Sequence, residues 1–168
     1  KLLDRTLLES AALALHQAQS VQIYGVAASA ILGEYLHYKL LRLGKPAQLF
    51  SDMHRAAMNA TTLSKDTLVV AISSSGSTRD LLHVVKLARK QGARVLALSN
   101  TPRSPLASLS DIQLVAAKPE GPLSAGALNA KVGVMLLVEL LTTSLIALDE
   151  KYSDVSQQTA SATLPLLL

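Results

Sequence analysis

Runs with helical spacing alternate along this chain with short, continuous apolar runs, and that alternation predicts its elements. Residues 3–18 place Leu7, Leu8, Ala11, Ala12 and Leu15 on one helical face, with Glu9, Ser10, His16 and Gln17 off it. A short strand over 21–24 ends at Gly25. The helix over 28–43 has Leu32, Leu36 and Leu40 as its stripe, Gly44 suits its C-terminal cap, and Pro46 follows the stop. Residues 48–50 read as a second strand and 52–59 as a helix capped by Ser51 or Asp52. The third strand, 67–72, is apolar from Leu68 to Ile72. Leu81, Leu82, Val85 and Ala88 mark the following helix, 79–91, which Gly92 ends. A fourth strand is expected over 95–98, a helical turn at 105–108 and a fifth strand over 112–115. After a loop at 119–124 comes a long helix, 126–149, apolar almost all round; residues 153–167 read as a weaker helix or tail.

Strands separated by helices argue for an α/β fold: a parallel, doubly wound sheet of five strands between two helical layers, in the order 2-1-3-4-5. In that order strands 1 and 3 are neighbours whose following helices go to opposite faces. Ligands bind at such a switch point, beyond the carboxyl ends of the strands. The loops that meet there are Gly25-Val26-Ala27-Ala28-Ser29 and Ser73-Ser74-Ser75-Gly76-Ser77-Thr78. The second gathers hydroxyls around a glycine that lets backbone bend or approach a ligand closely. The helix after it starts with unpaired N–H groups and partial positive charge. Together these suit an anion, most naturally a phosphate. A plain helix cap is the alternative reading, with Asp80 suited to the first turn; a cap needs one hydroxyl, and this loop has five.

Composition changes the picture in three ways. A length of 168 residues suits one domain, and 49% hydrophobic against 17% charged residues support a large core, aliphatic because aromatics are 3%. That apolar content in so short a chain predicts surface hidden in an oligomer, a homodimer or homotetramer. The net charge of +4 comes from scattered Lys and Arg, which is no footprint of a nucleic-acid-binding face. Having no Cys, the chain has no disulfides, no thiolate nucleophile and no Cys-based metal site, and no metal or cofactor is expected. A reducing cytoplasm suits such a chain. The apolar stretch 132–148 is interrupted by Glu139 and by Thr142-Thr143-Ser144, so it reads as a buried helix and not as a membrane span.

The two loops resemble those of the sugar isomerase (SIS) domain, a phosphosugar-binding fold, over residues 7–149. Its first loop is of the type Gly-x-Gly/Ala-x-Ser, here Gly25 to Ser29, and its second Ser-x-Ser-Gly-x-Thr, here Ser73 to Thr78. The resemblance implies that Ser29, Ser73, Ser75 and Thr78 hold a phosphate, helped by the backbone of Ser74 and Gly76. It also implies a Lys near the start of the last long helix, here Lys131, and a carboxylate in the loop after strand 5, here Glu120. A solvated Lys and an exposed loop Glu are the plainer roles for these two. Within the family the chain is most similar to the effector domains of RpiR-type bacterial transcription regulators. The cues are Tyr24-Gly25-Val26, the segment Lys39 to Lys45, and Asp52-Met53-His54. Such regulators carry an N-terminal helix-turn-helix domain. The start at Lys1, inside a helical pattern, is that expected of a fragment, residues 1–168 forming the SIS domain alone. Where many such regulators have an Arg before the last helix, this chain has Leu123-Ser124-Ala125.

The expected function is a sensor: a phosphorylated sugar or sugar acid binds and biases DNA binding by the N-terminal domain, with no catalytic residue and no membrane involved. An aldose–ketose phosphosugar isomerase or a lyase is the competing reading. Isomerisation needs a base beside a carbonyl, for which Glu120, His37, His54 and His83 are the candidates. His37 and His83 fall within helices, and His54 falls at a helix start where it would lie on the surface or reach a neighbouring subunit. A dinucleotide site is the third reading, but Gly25 to Ala30 lacks the second and third glycines of that fingerprint.

Overall fold

The computed structural model describes residues 4–116 and 128–167. Its elements run α1 (Arg5–Gln17), β1 (Ser20–Gly25), α2 (Ala28–Arg42), β2 (Ala47–Phe50), α3 (Met53–Ala60), β3 (Thr67–Ile72) and α4 (Arg79–Lys90). Then come β4 (Arg94–Ser99), α5 (Pro105–Leu109), β5 (Ile112–Val115), α6 (Leu128–Leu148), α7 (Lys151–Thr163) and a closing 3-10 turn, Leu164–Leu166. The strands form one parallel sheet in the order β2-β1-β3-β4-β5, as the pattern predicts.

Burial on both faces explains why the central strands read as unbroken apolar runs. Every residue of β3 is buried. Its Leu68, Val70 and Ile72 join the core under α1, α2 and α6, while Val69 and Ala71 join the core under α3, α4 and α5. The helices stop where the glycines predict. Gly44 (φ +67) follows α2, with Lys45 N–H donating to Leu40 O; Gly92 (φ +83) follows α4, with Ala93 N–H donating to Ala88 O. Both are left-handed C-terminal turns that only glycine enters without strain.

One expectation needs correction. Leu7, placed on the core face of the first helix, is 41% exposed; the buried face of α1 is Ala11, Ala12, Ala14 and Leu15. Of the weaker helix or tail expected over 153–167, the structure forms the helix: α7 buries Tyr152, whose hydroxyl meets His16 Nδ1 at 3.0 Å.

Helix α6 is long and apolar enough to cross a membrane by length and composition. It packs against α1 and α2, and Ala130, Val134, Leu137, Val138, Leu141, Thr142 and Leu145 are buried. Its other side exposes Leu128, Val132, Met135, Leu136, Leu140 and Leu148. The carboxylate that interrupts its apolar run has a clear use. Glu139 accepts from Tyr35 Oη and from Lys39 Nζ (3.1 Å), which fastens α6 to α2. The Tyr35 hydroxyl, then Lys39, hold the Glu139 carboxyl below its usual range.

Candidate functional site

β1 and β3 are adjacent, and the register pairs Gly25 with Ile72, so their loops leave the sheet side by side. Helix α2 then turns to one face and α4 to the other. This is the switch point the strand order requires.

The first loop is a tight turn. Ser29 N–H donates to Val26 O (3.0 Å) and Ala30 N–H to Ala27 O (2.9 Å). Ala27 has φ 51° and ψ −124°, and among the described residues no other non-glycine has a positive φ. Such backbone is strained for an L-residue and clusters at ligand clamps. Gly25 has no room for a side chain, since a Cβ there would lie 2.9 Å from Ser29 O. The turn therefore folds the start of α2 tightly over the end of β1, with Ser29 half-buried in its first turn.

The second loop is held from within and from outside. Ser73 is buried; its Oγ accepts from Gly76 N–H (3.1 Å) and lies 3.3 Å from Thr78 Oγ1. Ser75 Oγ accepts from Ser77 N–H (3.2 Å). Gly76 takes φ +63, and a Cβ there would sit 2.2 Å from Ser104 Oγ. Ser74 O accepts from Asn100 N–H and Thr101 Oγ1 (both 3.1 Å), and Gly76 O accepts from Leu106 N–H (3.0 Å). The loop's carbonyls are thus tied down onto the β4–α5 connection. The N–H groups of Ser74, Ser75 and Thr78 have no acceptor among the described residues.

The helix starts separate into two kinds. α1, α3 and α5 are capped by side chains: Asp4, Asp52 and Ser104 accept from amides of the first turn. α2 and α4 are not. Their N-cap residues, Ala27 and Thr78, make no side-chain cap bond. The cap reading of the serine loop therefore fails at its own residue, because the Thr78 hydroxyl turns to Ser73 instead. The start of α4 and its loop is thus left with unpaired amides, while at the start of α2 the Ser29 and Ala30 amides turn back onto Val26 O and Ala27 O; both helix starts carry positive partial charge, on adjacent strands, beside several hydroxyls.

Lys131, on the first turns of α6, reaches the same loop. Its Nζ donates to Ser74 Oγ at 3.1 Å. The structure thus gathers Ser73, Ser74, Ser75, Gly76, Thr78 and Lys131, with Ser29 on the neighbouring loop. Glu120 lies outside the described residues. The three candidate histidines lie elsewhere. His37 Nε2 is 3.1 Å from Ala47 O at β2, and His54 and His83 are exposed on α3 and α4. No cluster of three or more His, Asp or Glu suited to a metal occurs among the described residues. Sequence reasoning missed Asn100 and Thr101, which hydrogen-bond the serine loop, and Ser104, which packs against Gly76. The available signal was their position directly beyond β4, the strand next to β3.

Comparison with known proteins points the same way. The SIS domain profile matches residues 14–144. An uncharacterised HTH-type transcriptional regulator of Caldanaerobacter subterraneus subsp. tengcongensis is 30% identical over 148 residues, covering 88% of this chain and 52% of that protein. The HTH-type transcriptional regulator RpiR of Escherichia coli K12 is 28% identical over 147 residues, covering 88% of this chain and 50% of that protein. The chain therefore spans about half the length of these curated relatives. Among solved structures, Vibrio vulnificus NanR complexed with ManNAc-6P superposes with a TM-score of 0.95 at 47% identity, covering 98% of this chain and 62% of that one. The sugar isomerase domain of an RpiR transcription factor from Sphaerobacter thermophilus gives a TM-score of 0.83 at 24% identity, covering 95% of this chain and 88% of that one. The chain belongs to the SIS domain family.

Proposed function

We propose that this SIS-family domain is the phosphosugar sensor of an RpiR-type transcriptional regulator. A phosphorylated sugar or sugar acid binds at the β1/β3 crevice and biases DNA binding by another domain of the same polypeptide, in the cytoplasm. The observation that carries this reading is the pair of uncapped helix starts, α2 and α4, facing one crevice. A phosphate dianion offers acceptors to the free amides of the serine loop and to the Ser29, Ser73, Ser75 and Thr78 hydroxyls, and the Lys131 ammonium adds a positive charge. The likeness to NanR complexed with ManNAc-6P supports an amino-sugar phosphate as the first ligand to test.

Among the described residues, the groups assembled there are hydroxyls, amides and the Lys131 ammonium, a set that grips an anion. Isomerisation would require a base as well. A second copy of the chain covers the outer face of α6, whose exposed Leu128, Val132, Met135, Leu136 and Leu140 carry no charge. Light scattering is expected to give a dimer or larger, and Leu136→Glu with Val132→Glu a monomer. A monomeric unmodified domain would rule that contact out.

Calorimetry with ManNAc-6P beside ManNAc tests the site. Binding is expected for the phosphorylated sugar only, weakened about tenfold or more, about 1.4 kcal/mol, by Ser75→Ala or Thr78→Val. Equal affinity for both sugars, or variants that bind as the parent does, would remove the phosphate grip. Solvent proton exchange into a phosphosugar during incubation would move the reading to an isomerase.

A further inference from the structure

We infer that Asn100 is a positioning residue for this site, tying the serine loop to α6 so that Ser74 and Lys131 meet an anion at a fixed separation. The inference rests on the phosphate reading of the crevice. Asn100 follows β4 and is completely buried. Its backbone N–H donates to Ser74 O at 3.1 Å. Its side-chain Nδ2 donates to Ala130 O on α6 at 3.4 Å. The next residue of α6, Lys131, donates from Nζ to Ser74 Oγ at 3.1 Å. The four residues thus close a ring: Ser74 to Asn100, Asn100 to Ala130, Ala130 along the backbone to Lys131, and Lys131 back to Ser74.

The cost of the amide argues that its donor is used. Asn100 Oδ1 is buried and has no hydrogen-bond partner among the described residues. A buried acceptor left unpaired destabilises a fold, and a small apolar residue at this place would avoid the penalty. What an apolar residue could not supply is the bond from Nδ2 to α6. At 3.4 Å that bond is at the long end of the range, and the backbone bond to Ser74 O, at 3.1 Å, is the firmer half of the tie. Thr101 backs the arrangement from the other side, its Oγ1 holding Ser74 O at 3.1 Å. Asn100 itself touches neither the hydroxyls nor the free amides of the crevice. It acts through where it puts Ser74 and Lys131.

A double-mutant cycle in ligand affinity separates positioning from bulk stability. The intact domain, Asn100→Ala, Lys131→Met and the double variant are titrated with ManNAc-6P and with inorganic phosphate by calorimetry, each at a temperature well below its own thermal midpoint. Each single variant is expected to raise Kd at least fivefold. The double variant is expected to lie within twofold of Lys131→Met, since losing the tie matters only while Lys131 is there to be placed. Losses that multiply, or an Asn100→Ala domain with parental Kd and a lowered midpoint, would overturn the inference. If Asn100→Ala does not fold, Asn100→Leu keeps the bulk and the backbone N–H while removing the same Nδ2–Ala130 O bond, and its cycle against Lys131→Met is read by the same criterion. Failure of the unmodified domain to bind either probe would instead overturn the phosphate reading, and this inference with it.

Discussion

Helices α3 and α4 pack side by side on the same face of the sheet, yet they begin in opposite ways. α3 starts on Asp52, whose carboxylate accepts from the N–H groups of His54 (2.8 Å) and Arg55 (3.2 Å). Those bonds, that from Arg55 first, hold the Asp52 carboxyl below its usual range. α4 starts on Thr78, whose hydroxyl is 3.3 Å from Ser73 Oγ and caps nothing. One helix is capped by an anion of its own, whereas α4 has Asp80 in its first turn but no side-chain acceptor at its cap. The other is ringed by hydroxyls that donate as readily as they accept, so its free amides are left for an anion from outside. A helix start rich in Ser and Thr is thus not by itself a cap. What separates a cap from a binding site is where the oxygen turns.

The comparison breaks most sharply if α4 is given the start that α3 has. Thr78 already has the extended backbone of a cap residue, φ −65° and ψ 111°. Thr78→Asp is expected to cap the helix and raise stability by about 1 kcal/mol. It is also expected to weaken phosphosugar binding by about 100-fold or more, near 3 kcal/mol, because the site would hold a permanent carboxylate of its own. Thermal unfolding and calorimetry on the same sample check both signs. A stabilised variant that still binds the ligand would show that the α4 amides are not the anion's donors.

A smaller effect is expected from Gly76→Ala, which keeps every hydroxyl and disturbs only the backbone. With φ +63 and a Cβ that would lie 2.6 Å from Ser104 Cβ, the loop cannot accept alanine where it stands. Stability should fall by more than about 1 kcal/mol, and affinity by about tenfold as the loop shifts off the β4–α5 connection. Chemical denaturation with parallel ligand titration measures the two. Undiminished affinity would mean that hydroxyl chemistry suffices without the fixed loop.

These expectations show which parts of the molecule were legible in the sequence. The strand order followed from alternating periods, and the serine loop stood out because five hydroxyls and a glycine fall between an apolar run and a helical one. The residues that hold that loop did not stand out. Asn100, Thr101 and Ser104 come from a different connection, and an Asn after a strand has the look of an ordinary turn. Nor does sequence reveal that Thr78 declines to cap, since that depends on the rotation of one hydroxyl toward Ser73. The all-round apolar character of α6 was plain, but not its division. Which side faces α1 and α2 and which faces outward depends on how the helix is rotated about its axis, and the continuous apolar pattern gives no hint of it.

The smallest effect is expected at α3, where the anion is built in. Asp52→Asn keeps a side-chain oxygen able to cap, since Asn and Asp rank together at this position. At neutral pH the midpoint should change little, and ligand affinity should be unaltered. The acid limb should differ. Asp52 has a folded-state pKa below its unfolded value, so its contribution is present above the unfolded value, about 4, and is lost as pH falls through the folded one. The Asn variant has no such proton to take up. Its thermal midpoint should therefore fall less steeply than the parent's below about pH 4. The remaining acid sensitivity should stay in both proteins, because Glu139 and Asp149, also held below their usual range, are untouched. Midpoints measured from pH 7 to pH 3 on the two proteins give the comparison directly. Parallel curves would show that the charge on Asp52 contributes nothing at the start of α3, and the contrast with α4 would then rest on the presence of an acceptor alone.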